Sequence, residues 1–121
     1  MKTWRDKEEF KQRVLEWAGR LGVRVHSLAV RRMRNKWASC STAGNLNFNA
    51  ELISMSKKIS DYVIVHELLH FSVPNHGPLW KSLMWAHLGD YEAEEAKLNR
   101  IGNKKPMQAT TYGGNQDVGV K

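Results

Sequence analysis

The sequence predicts a small α+β domain with an N-terminal helix, a three-stranded and mainly antiparallel sheet, and helices toward the C-terminus. Three observations support this fold class. Apolar residues recur at helical spacing over residues 3–21, and apolar and polar residues alternate over much of residues 23–50. A mostly apolar stretch over residues 60–73 contains the motif His-Glu-x-x-His. Since 121 residues are typical of one domain, we expect a single domain over residues 1–102.

The first helix is predicted from a stripe of four apolar residues with charged residues between them. Thr3 is a plausible N-cap, and Gly22 is a plausible C-terminal stop. The stripe consists of Phe10, Val14, Trp17 and Leu21.

The sheet is predicted from three short segments. A strand rich in β-branched residues runs from Val23 to about Arg32, and a second covers residues 37–41. After a turn at residues 43–45, apolar residues alternate with asparagines over residues 45–50 to form a third strand. This third strand could line a cleft and pair with an extended substrate, but its asparagines fit outward-facing polar positions better.

The motif His66-Glu67-Leu68-Leu69-His70 lies on the predicted helix over residues 60–73. On a helix, His66 and His70 project from one face one turn apart, so two imidazoles can bind one zinc ion. Glu67 lies beside them, where it can reach a metal-bound water.

His76 is a candidate third ligand. Pro74 disfavours helical geometry in the residue before it, so the helix is predicted to end near Val73 and His76 can fold back toward the metal. Three histidines would leave one tetrahedral position for water, as catalytic zinc sites do. HExxH strings also arise by chance, but burying several polar rings without partners costs about 1 to 3 kcal/mol per group. Metal ligation would satisfy these rings.

Two further helices are predicted after the motif. Pro78 occupies the tolerated first turn of a helix over residues 78–88, and a shorter helical pattern covers residues 90–101. We expect apolar residues of the first of these helices to cover the motif helix as core residues, namely Leu79, Trp80, Leu83 and Met84. Residues 103–121 have little apolar content and are predicted to be a disordered tail.

Charge and cysteine content limit the environment and the partners. Residues 1–36 contain eleven basic and four acidic residues, so they carry all of the net charge of +7. The basic residues between positions 20 and 36 could contact DNA phosphates, although such a run is more often a solvated strand edge. The N-terminus lacks the apolar core of a signal peptide, and Cys40 has no second cysteine to pair with, so a cytoplasmic location is expected. We interpret Cys40 as a small buried residue, and His26 and His87 as ordinary residues outside the site.

Four blocks of sequence carry a resemblance to a known family. In chain order they are WASCS over residues 37–41, GNLNFN over residues 44–49, SDYVIVHELLH over residues 60–70, and NHGPLW over residues 75–80. Together they resemble the YgjP-like metallopeptidase family, over roughly residues 25–100. The resemblance implies a zincin-like fold, zinc ligands at His66, His70 and His76, and a catalytic role for Glu67. That family is similar in turn to the minigluzincin-type peptidases and to SprT-like proteases, some of which cleave proteins crosslinked to DNA.

The leading hypothesis is therefore a peptidase with one catalytic zinc ion, acting on a peptide or protein substrate with Glu67 as general base. Candidate donors to the oxyanion are Tyr62, Asn75 and Arg34. Two alternatives remain open: a zinc-binding module without catalysis that recruits DNA or a protein, and a zinc hydrolase acting on another amide or ester.

Overall fold

The computed structural model describes residues 3–73 and 76–101. It has the predicted α+β architecture, with four helices and one three-stranded sheet. In chain order these are α1 (Lys7–Leu21), β1 (Ser27–Arg31), β2 (Ala38–Cys40), β3 (Asn45–Asn49), α2 (Lys57–Leu69), α3 (Pro78–Leu88) and α4 (Glu92–Arg100). A 3-10 helix at Ala50–Ser54, which was not predicted, joins β3 to α2. The tail predicted over residues 103–121 lies outside the described residues.

The sheet has the order β1-β3-β2, which places the last strand in the centre. β2 is antiparallel to β3, with Ala38 opposite Phe48, but β1 is parallel to β3, with Ser27 opposite Asn45. The sheet is thus mixed, which corrects the expectation of mainly antiparallel pairing. The segment between β1 and β2 makes this possible, because it reverses the chain across the width of β3 without forming a direct hairpin.

The position of β3 also corrects the idea that it could pair with a substrate, since both of its edges are hydrogen-bonded to neighbouring strands. Its asparagines make contacts within the protein. Asn45 Oδ1 accepts a hydrogen bond from Ser27 Oγ at 2.7 Å, and Asn47 Oδ1 accepts one from Arg31 Nε at 3.3 Å. The buried Asn49 side chain donates to the carbonyls of Met33 and Lys36, both at 2.9 Å. These residues hold the sheet and the loop before β2 in place.

The first helix begins later than predicted. Its N-cap is Asp6 rather than Thr3, because the Asp6 carboxylate accepts a hydrogen bond from the Glu9 backbone N–H at 3.0 Å. Its predicted end is confirmed: Gly22 has a φ of 72°, in the left-handed region, and its N–H donates to the carbonyl of Ala18. Trp4, before the helix, is buried, and its Nε1–H donates to Ser60 Oγ at 2.9 Å. That bond fixes the N-terminal segment against α2.

The motif helix α2 lies at the centre of the molecule, in contact with α1, α3, α4 and β2. Ser56 caps its start, and the residues from Tyr62 to His70 are all buried. The sequence predicts that this helix ends near Val73, but it ends earlier, at Leu69. The chain then tightens into turns, in which the backbone N–H of Phe71 donates to the carbonyl of Leu68. The helix has therefore ended before Pro74, which lies outside the described residues.

Helix α3 has the predicted bounds, with Pro78 in its first turn. Trp80 and Met84 are buried, as expected for residues that cover α2, whereas Leu79 is 62% exposed, which corrects its assignment to the core. In α4, Leu98 is buried against the same core. Cys40 is buried in β2, as interpreted from the sequence. No helix in the described part of the chain is long and apolar enough to span a membrane.

Candidate metal centre

The three histidines of the motif meet at the C-terminal end of α2. His66 lies in the last turn of the helix and His70 is its C-cap residue, so their rings lie one turn apart on one face. His76 lies just before Gly77, the N-cap of α3, and its ring returns to the same face. The site therefore depends on one helix for two side chains and on the entry to the next helix for the third.

The geometry of the three rings suits one metal ion. A ring nitrogen from each of His66, His70 and His76 lies within 4.8 Å of the others, and the Nε2 atoms of His70 and His76 are 3.1 Å apart. Two nitrogens bound tetrahedrally to one zinc ion, at about 2.0 to 2.1 Å each, are separated by roughly 3.3 Å. The separation of His70 and His76 is therefore compatible with one shared metal ion, and imidazole nitrogens are donors that suit ions such as zinc.

Burial differs among the three histidines and sets the protonation state of His70. His66 is 0% exposed and His70 is 3% exposed, whereas His76 is half-buried. Burial lowers the pKa of His70 to about 4, and the neighbouring His76 contributes in the same direction, while a hydrogen bond involving the Val73 backbone opposes it. His70 is thus neutral at neutral pH, and the neutral imidazole is the form that binds metals. The half-buried His76 marks the side on which the site approaches solvent.

Glu67, the predicted base, is buried beside the cluster. It is 4% exposed, and its Oε2 lies 3.9 Å from Nδ1 of His66. Glu67 follows His66 directly on α2, so its side chain projects about 100° round the helix from that histidine.

Trp80 also contacts the cluster, although its sequence pattern predicts only a core position. Its ring lies 5.0 Å from that of His66, 6.2 Å from that of His70 and 4.4 Å from that of His76, measured between centroids. A signal was present in the spacing, since Trp80 follows His76 by four residues across the start of a predicted helix.

The three candidate oxyanion donors have different outcomes. Tyr62 packs edge-on against His66 at 5.7 Å, but its hydroxyl donates to Glu95 Oε2 at 3.2 Å. Burial, and then the nearby Glu95 charge, raise the pKa of Tyr62 far above its ordinary value, so it remains a protonated donor to Glu95. Arg34 is exposed in the loop before β2, and Asn75 lies outside the described residues.

The other two histidines lie apart from the cluster. His87, near the end of α3, stands edge-on to Trp17 at 6.1 Å, and His26 is exposed just before β1. Among the residues that the structure describes, the one group of His, Cys, Asp and Glu side chains placed to hold a metal ion is His66, His70 and His76.

A buried helix carrying HExxH, with a third histidine folded back onto it, is the arrangement of a metallopeptidase. A family model for the YgjP-like, metallopeptidase domain matches residues 2–101, and the chain belongs to that family. The resemblance drawn from the sequence blocks is confirmed.

Two solved structures share the fold. The metallopeptidase zymogen jannalysin of Methanocaldococcus jannaschii is 26% identical, with a TM-score of 0.67 over 78% of this chain and 96% of that one. The zymogen abylysin of Pyrococcus abyssi is 13% identical, with a TM-score of 0.67 over 79% of this chain and 97% of that one. A comparison with curated proteins gives no match.

Proposed function

We propose that this chain is a zinc-dependent peptidase in which His66, His70 and His76 hold one zinc ion and Glu67 is the general base. The observation that carries the proposal is the convergence of the three histidine nitrogens within 4.8 Å, beside a buried glutamate. Membership in a metallopeptidase family supports peptide bonds as the target.

The donor set favours zinc over hard cations, because Mg²⁺ and Ca²⁺ prefer oxygen ligands and imidazoles suit zinc. When bound, zinc supplies a water with a pKa lowered toward about 7 and polarises the carbonyl of the scissile bond. Three protein ligands leave a coordination position open for that water or for the substrate.

Glu67 supplies the proton transfers in this proposal. Its carboxylate takes a proton from the attacking water and passes it to the nitrogen of the leaving amine. Its burial strengthens such interactions, since a carboxylate in a water-poor setting interacts more strongly with neighbouring charge than one in bulk water. The neighbouring His66 ring, 3.9 Å away, limits where the carboxylate can lie.

The test combines metal analysis with one conservative substitution. We expect one zinc ion per chain after native purification, and we expect Glu67→Gln to keep that ion while lowering peptide cleavage by about 10² to 10⁴-fold. Glu94→Gln is the matched control, because Glu94 is also a buried glutamate but lies on α4, where it pairs with Lys97 at 3.4 Å. Absence of zinc, or unchanged cleavage by Glu67→Gln, would refute the proposal.

The substrates should be a broad peptide library and a set of simple esters and amides. Because jannalysin is described as a zymogen, the intact chain is assayed beside a sample after limited proteolysis. Glu67-dependent hydrolysis of esters or simple amides without peptide cleavage would favour the alternative hydrolase. Bound zinc with no Glu67-dependent hydrolysis in either sample would favour the non-catalytic module.

Contact with DNA is a separate prediction. Four arginines between positions 20 and 36 extend into solvent from the region around β1, namely Arg24, Arg31, Arg32 and Arg34. If they bind phosphates, duplex DNA will bind at low salt and will be released as salt rises, because binding releases counterions. The triple substitution of Arg31, Arg32 and Arg34 by alanine should weaken this binding. If the wild type does not bind duplex DNA even at low salt, the prediction of DNA contact is wrong.

A further inference from the structure

Trp80 connects the two segments that supply the histidines. His66 and His70 are held relative to each other by α2, but His76 belongs to the segment that leads into α3. The third position of α3 is Trp80, which is 3% exposed and lies between its own helix and the cluster. Its ring is tilted against His76 at 4.4 Å, stands edge-on to His66 at 5.0 Å and is nearly parallel to His70 at 6.2 Å.

The indole ring is itself held from the other side. Tyr91 stands edge-on to Trp80 at 6.0 Å and stacks on Tyr62 at 6.0 Å, with only 7° between the two tyrosine planes. Tyr62 lies on α2 and contacts His66 at 5.7 Å. These contacts form a closed path of rings from α2 through α4's entry and α3 back to α2, so rotation of Trp80 would disturb several neighbours.

The polar atom of Trp80 is not what fixes this position. Its Nε1–H is buried and has no hydrogen-bond acceptor within residues 3–73 and 76–101. Burying an unpaired donor costs free energy, so a hydrogen bond within this part of the chain does not account for the placement. The flat face and the edge of the ring make the observed contacts with the histidines.

We infer that Trp80 is a positioning residue that holds His76 in the geometry needed to share a metal ion with His66 and His70. The inference rests on the proposed function, because it requires that these histidines bind the metal. Residues that orient metal ligands commonly change metal affinity by 10 to 100-fold when they are replaced.

The test compares two substitutions of Trp80 with one of Trp85, which lies on the same helix and is 52% exposed. Zinc affinity is measured by competition with a chromophoric chelator, and the visible spectrum of the Co²⁺-loaded protein reports ligand number and geometry. We expect Trp80→Leu, which lacks the flat ring, to bind zinc about 10 to 100-fold more weakly and to change the Co²⁺ spectrum. Trp80→Phe should retain most of the affinity, and Trp85→Leu should match the wild type.

A double substitution tests whether the effect passes through His76. If it does, Trp80→Leu should cause little further loss of zinc affinity in a His76→Ala background. Circular dichroism of the metal-free proteins confirms that each variant is folded. If Trp80→Leu does not fold, Trp80→Met replaces it, because methionine keeps more apolar volume without a ring.

The outcomes separate this inference from the proposed function. If the wild type binds no zinc, both are wrong. If the wild type binds zinc and folded Trp80→Leu, or Trp80→Met in its place, has wild-type affinity and an unchanged Co²⁺ spectrum, only the role of Trp80 is overturned. A loss of equal size in Trp85→Leu would also overturn it, because the effect would then not depend on contact with the histidines.

Discussion

Two polar clusters lie five residues apart on α2, and they are built in opposite ways. At Asp61 both carboxylate oxygens are used: Oδ1 accepts from Arg13 Nε and from Trp17 Nε1, each at 2.9 Å, and Oδ2 accepts from a second Arg13 nitrogen at 3.0 Å. The hydrogen bonds to Asp61 raise the pKa of Arg13, so the Arg13 guanidinium stays protonated. This cluster joins α1 to α2.

At His66 three side chains of one kind converge instead. A ring nitrogen from each of the three histidines lies within 4.8 Å of the others, and each nitrogen can present a lone pair. In an ion pair, by contrast, the neighbouring groups carry opposite charges. The charged and polar groups around Asp61 form hydrogen bonds with one another and so stabilise the fold. Three neighbouring lone-pair donors are instead suited to binding one metal ion, which would add stability to the folded state. The same helix therefore carries a structural cluster near its middle and a candidate metal centre at its end.

The largest effect that separates the two clusters is the response to zinc. A ligand that binds only the folded state adds about 4 kcal/mol of stability at a concentration a thousand times its Kd. We expect the wild type to gain this increment and His70→Ala to lose it, as measured by urea unfolding with and without zinc. Asp61→Ala, although weakened, should keep the increment, and a full zinc response in His70→Ala would contradict the ligand assignment.

Removal of Asp61 should have the next largest effect, and it should not depend on metal. Asp61→Ala leaves Arg13 and the Trp17 N–H without their shared acceptor, so we expect a loss of roughly 2 to 3 kcal/mol in unfolding free energy. Urea unfolding of the metal-free protein measures it. The control is Glu16→Ala, because Glu16 also pairs with Arg13, at 3.1 Å, but is 58% exposed and should cost less than about 1 kcal/mol. Equal losses in the two variants would show that burial does not distinguish these contacts.

The predictable parts of the molecule are those with a local pattern. Helical spacing alone predicts that His66 and His70 share a helix face with Glu67 beside them. Gly22 correctly predicts the end of α1, and Pro78 correctly predicts the start of α3. His76 also lies with the other two histidines, as predicted, although the helix ends at Leu69 rather than near Val73. Local chemistry identifies such residues because their role depends on neighbours in sequence.

The missed features depend on residues that are distant in sequence. The parallel pairing of β1 with β3 follows from how the whole sheet packs, which alternation within a strand does not encode. The bond between Arg13 and Asp61 joins residues 48 positions apart. The sequence predicts a core position for Trp80, but its contacts with three histidine rings depend on the angle at which α3 meets α2. The N-cap of α1 is an exception, because Asp6 and Thr3 are both favoured N-cap residues close in sequence, and the helix begins after Asp6.

The smallest expected effect concerns Glu95, which holds the tyrosine between the two clusters. Its carboxylate accepts a hydrogen bond from the Tyr62 hydroxyl. Burial is the main cause that raises the pKa of Glu95, and the Glu92 charge adds to it, whereas the hydrogen bond from Tyr62 and the Lys81 charge lower it. A carboxyl whose pKa is higher in the folded state binds more protons there, so its contribution to stability is present at low pH and is lost as pH rises. Glu95→Gln keeps an acceptor for Tyr62 without the charge. We therefore expect the metal-free variant to be more stable than the wild type at pH 7 and to lose that advantage on acidification.

The measurement is the difference in unfolding free energy between the wild type and Glu95→Gln, followed by urea unfolding from pH 8 down to pH 4. The lowered pKa of His70 destabilises both metal-free proteins as pH falls below about 6.5, because the unfolded chain then takes up a proton that the folded chain resists. That slope is common to both proteins and cancels in the difference. An advantage that grows toward low pH would show that Glu95 is stabilised as an ion, and that Tyr62 is positioned by a charged partner.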